Sequence, residues 1–382
     1  MDTLLAFDSF KESLSSKEAA EAFKTGFTRI FPEATCHIRL ISDGGEGFVD
    51  AIIQNRGSRL SRRVKDPLGR PIMADCGLIG ETRTAIIEIA AASGLERVSE
   101  AEKNPMRTSS YGTGELIRHC LDNKIRKFII GIGGSATSDG GTGLLQALGA
   151  RFFDKEGEEI APPICGGDLQ HLQRVDLSLL HPALSECHFT IANDVSNPLL
   201  GKNGAAAIFG PQKGADTAMV QKLENGLANF AGLMQQGYAA DIATPPGSGA
   251  AGGIGGLLGG LFDGEMRSGI EVVMEAIELD KTMQRCDLVC TGEGRIDAQT
   301  VQGKTVAGIV KLANQLGKPV LAIGGGIVEK DLPLLYEKGV DAVLPIVSSP
   351  MALDDAIKNA GPLMMSAGEK SARLLKLSGR LN

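Results

Sequence analysis

A gap of only three residues between two strand-like runs constrains the fold of this chain more than any other local feature. The runs cover residues 72–79 and 83–89, and residues 80–82 are all that joins them. A loop this short can close an antiparallel hairpin, whereas a parallel pair needs a crossover of about a dozen residues or more. The middle of the chain therefore interrupts any simple alternation of strands and crossover helices.

Both ends of the chain do show that alternation. Residues 3–7 have the pattern of a buried parallel strand, and SSKE at 15–18 has capping-box spacing before a helical pattern. Near the other end, strand patterns at 287–291, 319–323 and 340–346 alternate with helical segments. Such an alternation of strands and helices predicts a parallel sheet with helices on both faces.

The two patterns together predict an α/β protein of two domains. One is a Rossmann-like, doubly wound parallel sheet built from both termini, at 1–66 and 283–382. The other is an inserted mixed α/β domain at 67–282, with DPLGRP (66–71) as the outgoing linker. A length of 382 residues also favours two domains. We expect a ligand cleft between them.

Composition narrows the class of protein. A net charge of −7 argues against a nucleic-acid-binding surface. The seven cysteines form no CxxC pair and the N-terminus lacks the pattern of a secretion signal, which predicts reduced thiols in the cytoplasm. The longest apolar stretch, around 250–262, is too short and glycine-rich to span a bilayer, so we expect no membrane partner.

A glycine-rich loop at 131–143 lies between an apolar run and a helix-like segment. Glycines let the backbone approach an anion, and a helix N-terminus supplies N–H donors. The alternative is a tight turn without a ligand, but four hydroxyl residues and Asp139 within the loop argue against it. The predicted phosphate or nucleotide contacts are Gly133, Gly134, Ser135, Ala136 and Thr137, and Ser135 and Thr137 are also candidates for substrate contacts.

Polar or bare-backbone residues follow several predicted strands of the first domain. Ligands bind beyond the carboxyl ends of parallel strands. Polar surface residues placed at random would not be concentrated at the ends of strands. The residues concerned are Asp8 and Lys11, then Asp43 and Glu46, then Glu293, Arg295 and Asp297, and finally Gly324 and Gly325. We therefore expect them at one edge of the sheet.

Four of these carboxylates are candidates for binding Mg²⁺, which takes one or two carboxylates together with water and phosphate oxygens. They are Asp43, Glu46, Glu293 and Asp297. The alternative for each is a carboxylate that stabilises a helix N-terminus. Asp8 and Lys11 are catalytic candidates, and Lys11 is the first choice for a phosphate or carboxylate contact.

Asp194, which follows an apolar strand at 189–192, is our candidate for the catalytic base or substrate-orienting group. The alternative is a capping aspartate in an Asx turn. Lys213, in the glycine loop GPQKG (210–214), is a candidate anion contact. Arg70 and Arg295 are candidates for clamping a carboxylate, although Arg70 is equally consistent with a solvated linker residue.

The chain resembles the glycerate kinase family of the bacterial two-domain type. Seven motifs carry the resemblance in family order along essentially the whole length: DSFKES (8–13), DGGEG (43–47), GGSATSDGG (133–141), ANDVSNPL (192–199), FGPQKG (209–214), GAAGG (249–253) and TGEGRID (291–297). The sequence departs from the family at Phe7, where proline is expected, and at Gly324–Gly326, where serine or alanine usually breaks the glycine run. Neither departure removes a candidate catalytic group.

The resemblance implies a kinase that transfers the γ-phosphate of ATP to (R)-glycerate, with ATP and Mg²⁺ as cofactors. It favours 2-phosphoglycerate as the product, and the residues alone leave 3-phosphoglycerate open. A non-catalytic sensor of nucleotides or hydroxy acids is an alternative, and a dinucleotide-dependent dehydrogenase is another. The sequence implies no oligomeric state.

Overall fold

The computed structural model describes residues 1–42, 47–54, 56–302 and 305–379. Within these residues the chain forms thirteen strands and fifteen α-helices, numbered here in chain order. The strands are β1 (Asp2–Phe7), β2 (Thr35–Ile38), β3 (Gly57–Lys65), β4 (Pro71–Ile79), β5 (Thr84–Glu88), β6 (Lys127–Gly131), β7 (Arg151–Asp154), β8 (Leu172–Asp176), β9 (His188–Ala192), β10 (Glu265–Arg267), β11 (Leu288–Ile296), β12 (Val320–Ile327) and β13 (Ala342–Pro345). The helices are α1 (Ser16–Thr28), α2 (Phe48–Ile53), α3 (Ala90–Ser93), α4 (Tyr111–Asp122), α5 (Thr142–Ala147), α6 (Ala205–Phe209), α7 (Thr217–Tyr238), α8 (Ile254–Phe262), α9 (Gly269–Ala276), α10 (Leu279–Arg285), α11 (Ala298–Gln302), α12 (Thr305–Gln315), α13 (Leu332–Glu337), α14 (Leu353–Lys358) and α15 (Ala360–Ser378).

The chain divides into two compact units. Unit 1 comprises Met1–Asp43 and Ile270–Asn382, and unit 2 comprises Gly44–Gly269. The boundaries fall at 43/44 and 269/270, whereas the sequence analysis placed them at 66/67 and 282/283. The difference arises because β3 pairs with β4 in unit 2, and because Leu279 and Met283 of α10 belong to the core of unit 1.

Unit 1 contains a five-stranded sheet in the order β13-β12-β11-β1-β2, in which every pair is parallel. Strand β1, an interior strand of this sheet, buries Leu4 and Ala6 in one apolar core and Leu5 and Phe7 in another. Because successive side chains point to opposite faces, both faces of the sheet are covered. The predicted doubly wound α/β class is confirmed.

Helix α1 shows how local sequence sets an element of this unit. Ser15 Oγ accepts the N–H of Glu18 at 3.2 Å, and the Glu18 carboxylate accepts the N–H of Ser15 at 2.9 Å. The predicted capping box is therefore confirmed. At Gly26 the helix packs so closely on α15 that a Cβ would lie 1.8 Å from the carbonyl oxygen of Met365.

Unit 2 contains a mixed six-stranded sheet in the order β10-β9-β6-β5-β4-β3 and a separate antiparallel pair, β7 with β8. Strands β5, β6, β9 and β10 are parallel, and β4 runs antiparallel to both β3 and β5. The predicted hairpin at 72–89 is therefore confirmed as β4 and β5. The predicted linker at 66–71 is wrong: these residues turn β3 back onto β4, with Lys65 opposite Pro71.

Two strands of unit 1 run further than their apolar patterns indicated. Strand β11 continues to Ile296 and β12 to Ile327, and their pairing places Glu293 beside Gly324. Glu293, Arg295 and the glycines at 324–325 therefore lie within strands, and the prediction that they follow strands is wrong. Strand extensions of polar residues and glycine carry no hydrophobic period by which the sequence could reveal them.

Among the described residues, none of the helices has both the length and the apolar character needed to cross a bilayer.

Candidate active site

The glycine-rich loop follows β6 and leads into α5, which is the predicted strand, loop and helix order. Gly134 is exposed, Gly133 is half-buried, and Ser135 is 6% exposed. From Ala136 to Gly141 the loop is buried. Contact with a ligand from solvent is therefore possible at residues 133–135, and the remainder of the loop forms their support.

Asp139 is one of the buried supports of this loop. Its carboxylate accepts hydrogen bonds from the N–H and hydroxyl of Ser110, both at 2.7 Å, and from the N–H groups of Gly141 and Gly143 at 3.1 and 3.2 Å. Burial raises the pKa of the Asp139 carboxyl, and these donated bonds oppose the rise. The expectation that the N-terminus of α5 supplies donors to an anion is wrong, since Asp139 and Ser110 already accept its first N–H groups.

Lys213 is the cationic support of the same loop. Its side chain is 2% exposed, and its Nζ donates to Ser135 Oγ at 3.0 Å and to the carbonyl oxygen of Thr137 at 2.5 Å. Burial lowers the pKa of Lys213 to about 7, and the charge of Asp139 acts in the opposite direction. The structure thus brings Lys213 into contact with Ser135 and Thr137, which the sequence analysis had placed in a different motif.

Two further hydroxyl groups of the glycine-rich loop receive no hydrogen bond from the described residues. Thr137 Oγ1 and Ser138 Oγ are buried and have no hydrogen-bond partner among the described residues. Buried polar groups are paired in the great majority of proteins, and exceptions concentrate where function or a bound molecule accounts for them. The interior side of the loop is therefore unusually polar.

A second glycine-rich segment, 249–253, packs directly on this loop. The carbonyl oxygen of Gly252 accepts the N–H of Gly140 at 2.9 Å. Gly252 has a φ of +65°, and a Cβ there would lie 2.0 Å from the carbonyl oxygen of Thr137. The glycines of this segment therefore allow two backbones to meet.

Four neighbouring parallel strands of unit 2 end in one row beside the loop. Glu88 of β5 pairs in register with Gly131 of β6, Gly131 with Ala192 of β9, and Ala192 with Arg267 of β10. Asp194 follows β9, and its carboxylate accepts the N–H of Gly269 at 3.2 Å. Asp194 and the loop therefore share one edge of the sheet, where ligands of α/β proteins bind.

The sequence analysis missed two charged residues in this row, Glu88 and Arg267. Glu88 accepts the N–H of Val49 at 2.7 Å and thereby holds the start of α2. An acid at the end of an apolar strand was a visible signal for Glu88. Strand β10 has only three residues, so Arg267 gave no comparable signal.

The corresponding edge of unit 1 also gathers several predicted residues. The N–H of Asp8 donates to the carbonyl oxygen of Gly292 at 2.9 Å, which places Asp8 beside the extension of β11. The pKa of the Glu293 carboxyl is raised, mainly by burial. A hydrogen bond with Thr300 opposes this rise. The negative charges of Asp8 and Asp297 raise the pKa further, and the positive charge of Lys11 lowers it. Asp8, Lys11 and Asp297 thus lie close enough to Glu293 to affect its charge.

Two of the four metal candidates, Asp43 and Glu46, lie outside the described residues. In the ranges that are described, no three or more His, Cys, Asp or Glu side chains are grouped to hold a metal ion. Glu293 and Asp297 are the two metal candidates among the described residues, and carboxylate oxygens suit a hard cation such as Mg²⁺. Asp297 also accepts the Nε–H of Arg295 at 3.0 Å and the N–H of Gln299 at 2.8 Å.

The two arginine candidates belong to different units, and carboxylates of their own unit engage both. Arg70 donates to Asp66 at 2.6 Å and to Glu102 at 2.8 Å, and so braces the turn between β3 and β4. Arg295 pairs with Asp297, although its side chain is 72% exposed. Arg70 is thus a structural residue in this conformation, while Arg295 keeps most of its guanidinium in solvent.

Gly324 and Gly325 have a packing role in β12. A Cβ at Gly325 would lie 2.3 Å from the carbonyl oxygen of Gly294 on the neighbouring strand. A Cβ at Gly324 would lie 2.9 Å from the side chain of Ile327. Bare backbone is therefore needed here for the two strands to pair.

Comparisons with known proteins agree along the whole chain. A model of the glycerate kinase family matches residues 3–376. A relative from Escherichia coli (strain K12) named glycerate 2-kinase is 43% identical, and the alignment covers 100% of this chain and 99% of the relative. A relative from Bacillus subtilis (strain 168) named glycerate kinase is also 43% identical, over 99% of this chain and 98% of its own length.

A solved structure shows the same architecture. It is described as a putative glycerate kinase 2 from Salmonella typhimurium LT2, with a TM-score of 0.88, 44% identity, and coverage of 100% of this chain and 99% of that one. Likeness at this level, over complete lengths, confirms the resemblance that the seven motifs indicated. The chain is therefore a phosphotransferase and belongs to the glycerate kinase family.

Proposed function

We propose that the protein phosphorylates (R)-glycerate with ATP and releases 2-phosphoglycerate and ADP. The observation that carries the proposal is the buried Lys213 ammonium behind Ser135, at the strand edge that also holds Asp194. Phosphoryl transfer needs donors for anionic oxygens and a group that accepts the proton of the attacking hydroxyl. The name glycerate 2-kinase of the relative from Escherichia coli supports transfer to the 2-hydroxyl.

In this mechanism unit 2 supplies anion binding and the base. The backbone of Gly133 and Gly134 lets an anionic oxygen approach closely, and Ser135 supplies a hydroxyl. Asp194 orients the glycerate hydroxyl and takes up its proton as the new bond to phosphorus forms. A carboxylate held by a backbone N–H stays in place for that role.

Unit 1 supplies positive charge and oxygen ligands. Lys11 offsets negative charge on a phosphate or carboxylate group, and Asp8 lies beside it in the same loop. Glu293 and Asp297 are the described carboxylates that would hold Mg²⁺, whose chemical contribution is to neutralise charge on the transferred phosphate. A cation there would also offset the like charges that raise the pKa of Glu293. Arg295 remains our candidate for the glycerate carboxylate, and we omit Arg70 because its guanidinium already pairs with two carboxylates.

An ADP-release assay with purified protein, Mg-ATP and either enantiomer of glycerate tests the proposal. We expect ADP in proportion to added (R)-glycerate and little with (S)-glycerate. If (R)-glycerate raises the melting temperature but no ADP forms, the protein is a sensor of hydroxy acids and the proposal is wrong.

We also propose a cytoplasmic location. All seven cysteines are free thiols, a state that the reducing cytoplasm maintains. Cell fractionation with an antibody against the chain should find it in the cytoplasmic fraction, and recovery from the periplasm or medium would contradict this.

A further inference from the structure

The surroundings of Lys213 differ from those of an ordinary buried lysine. Lysine is almost never fully buried unless it is paired with an opposite charge. Here the Nζ contacts two uncharged acceptors, Ser135 Oγ and the Thr137 carbonyl. The part of the chain that the structure describes offers it no carboxylate at ion-pair distance, and Asp139 acts on it only through space.

A methionine or leucine would fill the same space without the cost of removing an ammonium from water. Packing alone therefore gives no reason for a lysine at this position. Strongly perturbed titratable groups in such settings are concentrated at functional sites. The ammonium is best explained by what it does to its two acceptors.

Its effect on Ser135 follows from the chemistry of the two groups. In its protonated state, which prevails below its pKa of about 7, Lys213 has donors only, so Ser135 Oγ is then the acceptor in their 3.0 Å contact. The proton of the Ser135 hydroxyl must then point elsewhere, and none of the described residues accepts it. Donation from a charged group also polarises the hydroxyl and makes it a stronger donor in turn.

The backbone around Ser135 is held on both sides. The carbonyl oxygen of Gly134 accepts the N–H of Leu95 at 2.9 Å, and the N–H of Ala136 donates to Ser93 at 2.8 Å. Ser135 lies between exposed Gly134 and buried Ala136, so its hydroxyl is located where the loop passes from solvent into the interior. The backbone of Ser135 is fixed, its Oγ accepts from a fixed direction, and its hydroxyl proton remains available. The hydroxyl is therefore a hydrogen-bond donor of defined orientation.

We propose that Lys213 is a positioning residue that acts through Ser135, so that the Ser135 hydroxyl donates a hydrogen bond to an anionic oxygen of a substrate. The ammonium stays behind the loop and does not itself contact the substrate. This inference rests on the proposed function, in which two substrates carry such oxygens: the phosphates of ATP and the carboxylate of glycerate. The same donor would suit either.

Steady-state kinetics of Ser135→Ala, Lys213→Met and the double variant, measured below pH 7 where Lys213 is mostly protonated, test this relay. We expect each single change to raise the KM of one and the same substrate about tenfold to a hundredfold, as for the loss of one charge-assisted hydrogen bond. The KM of the other substrate should stay within about twofold of the wild type, and which of the two rises identifies the bound group. Because Lys213 acts through Ser135, the double variant should be no worse than the worse single variant.

Lys127→Met is the matched control, since Lys127 is exposed at the opposite end of β6 and its loss should leave both KM values unchanged. Effects that multiply in the double variant, or a Lys213→Met variant that alters both KM values equally, would overturn the relay. If Lys213→Met does not fold, Ser135→Ala still decides, because unchanged KM values for both substrates would exclude the hydroxyl as a donor. If the wild type releases no ADP, the proposed function has failed, and calorimetric dissociation constants for Mg-ATP and (R)-glycerate replace KM in the same comparison.

Discussion

At the scale of single residues, the most conspicuous side chains of a motif need not be the ones that meet a ligand. Asp139 stands in the centre of the glycine-rich motif, yet the protein itself provides all four of its hydrogen bonds described above. Lys213, which is 76 and 78 residues in sequence from the two loop residues that it contacts, supports that loop from the interior. The sequence could name both residues as polar groups in glycine-rich segments, but only tertiary contacts separate support from ligand binding.

Asp194 gives the most direct test of catalysis at this scale. Asp194→Asn removes the proton acceptor and keeps the shape, so we expect kcat to fall by at least about a hundredfold with an intact fold. The measurement is steady-state kinetics together with circular dichroism. Ser196→Ala, a change at an exposed neighbour, is the control and should retain wild-type kcat. Turnover of Asp194→Asn near that of the wild type would end the assignment.

Lys213 gives a prediction about stability and pH. Burial lowers its pKa from 10.5 to about 7, so between these values the unfolded chain holds a proton that the folded chain has released. Stability therefore rises with pH from about 7 upward, with a contribution of at most about 1.4 kcal/mol per pH unit. Urea unfolding at pH 7, 8 and 9 should show this rise in the wild type and a flatter profile in Lys213→Met. Parallel profiles for the two proteins would contradict the burial of a titrating ammonium.

At the scale of elements, the sequence predicted the features that depend on neighbouring residues. It missed the features that depend on pairing between strands. The capping box of α1 and the β4–β5 hairpin follow from a few adjacent residues, and both were predicted. The extension of β11 to Ile296 depends on pairing with β12, and the turn at 66–71 depends on β3 finding β4. Neither partner is visible in the local pattern, so one element was predicted too short and the other was taken for a linker.

The contact between the two glycine-rich segments belongs to this scale and is testable at Gly252. Alanine there must adopt a φ of +65° and place a Cβ against the Thr137 carbonyl, so we expect a loss of about 2–4 kcal/mol in the free energy of unfolding. Gly232→Ala is the matched control, because it lies within α7 with no atom within 4 Å of the added Cβ. That change should stabilise the protein by about 0.5–1 kcal/mol in the same urea titration. Equal effects of the two substitutions would show that the segments do not pack as described.

At the scale of the whole molecule, each unit presents its polar groups at the carboxyl edge of its own parallel strands. The alternation of strands and helices at both termini predicted this for unit 1, and a general rule of α/β sheets then located Asp8 and Lys11, whereas Glu293 lies within β11. For unit 2 the sequence supplied the loop and Asp194 but not the row of strand ends that joins them. Strand order is a property of the folded chain, and β9 lies beside β6 although dozens of residues separate them.

The central claim concerns the reaction of the whole enzyme, and a ³¹P NMR time course with Mg-ATP and (R)-glycerate tests it most directly. We predict that the ATP signals decline while ADP and one phosphomonoester appear, with the ester phosphorus coupled to the single proton on C2. Coupling to the two C3 protons instead would retain the kinase and contradict transfer to the 2-hydroxyl. ATP that stays intact with (R)-glycerate present would contradict the account as a whole.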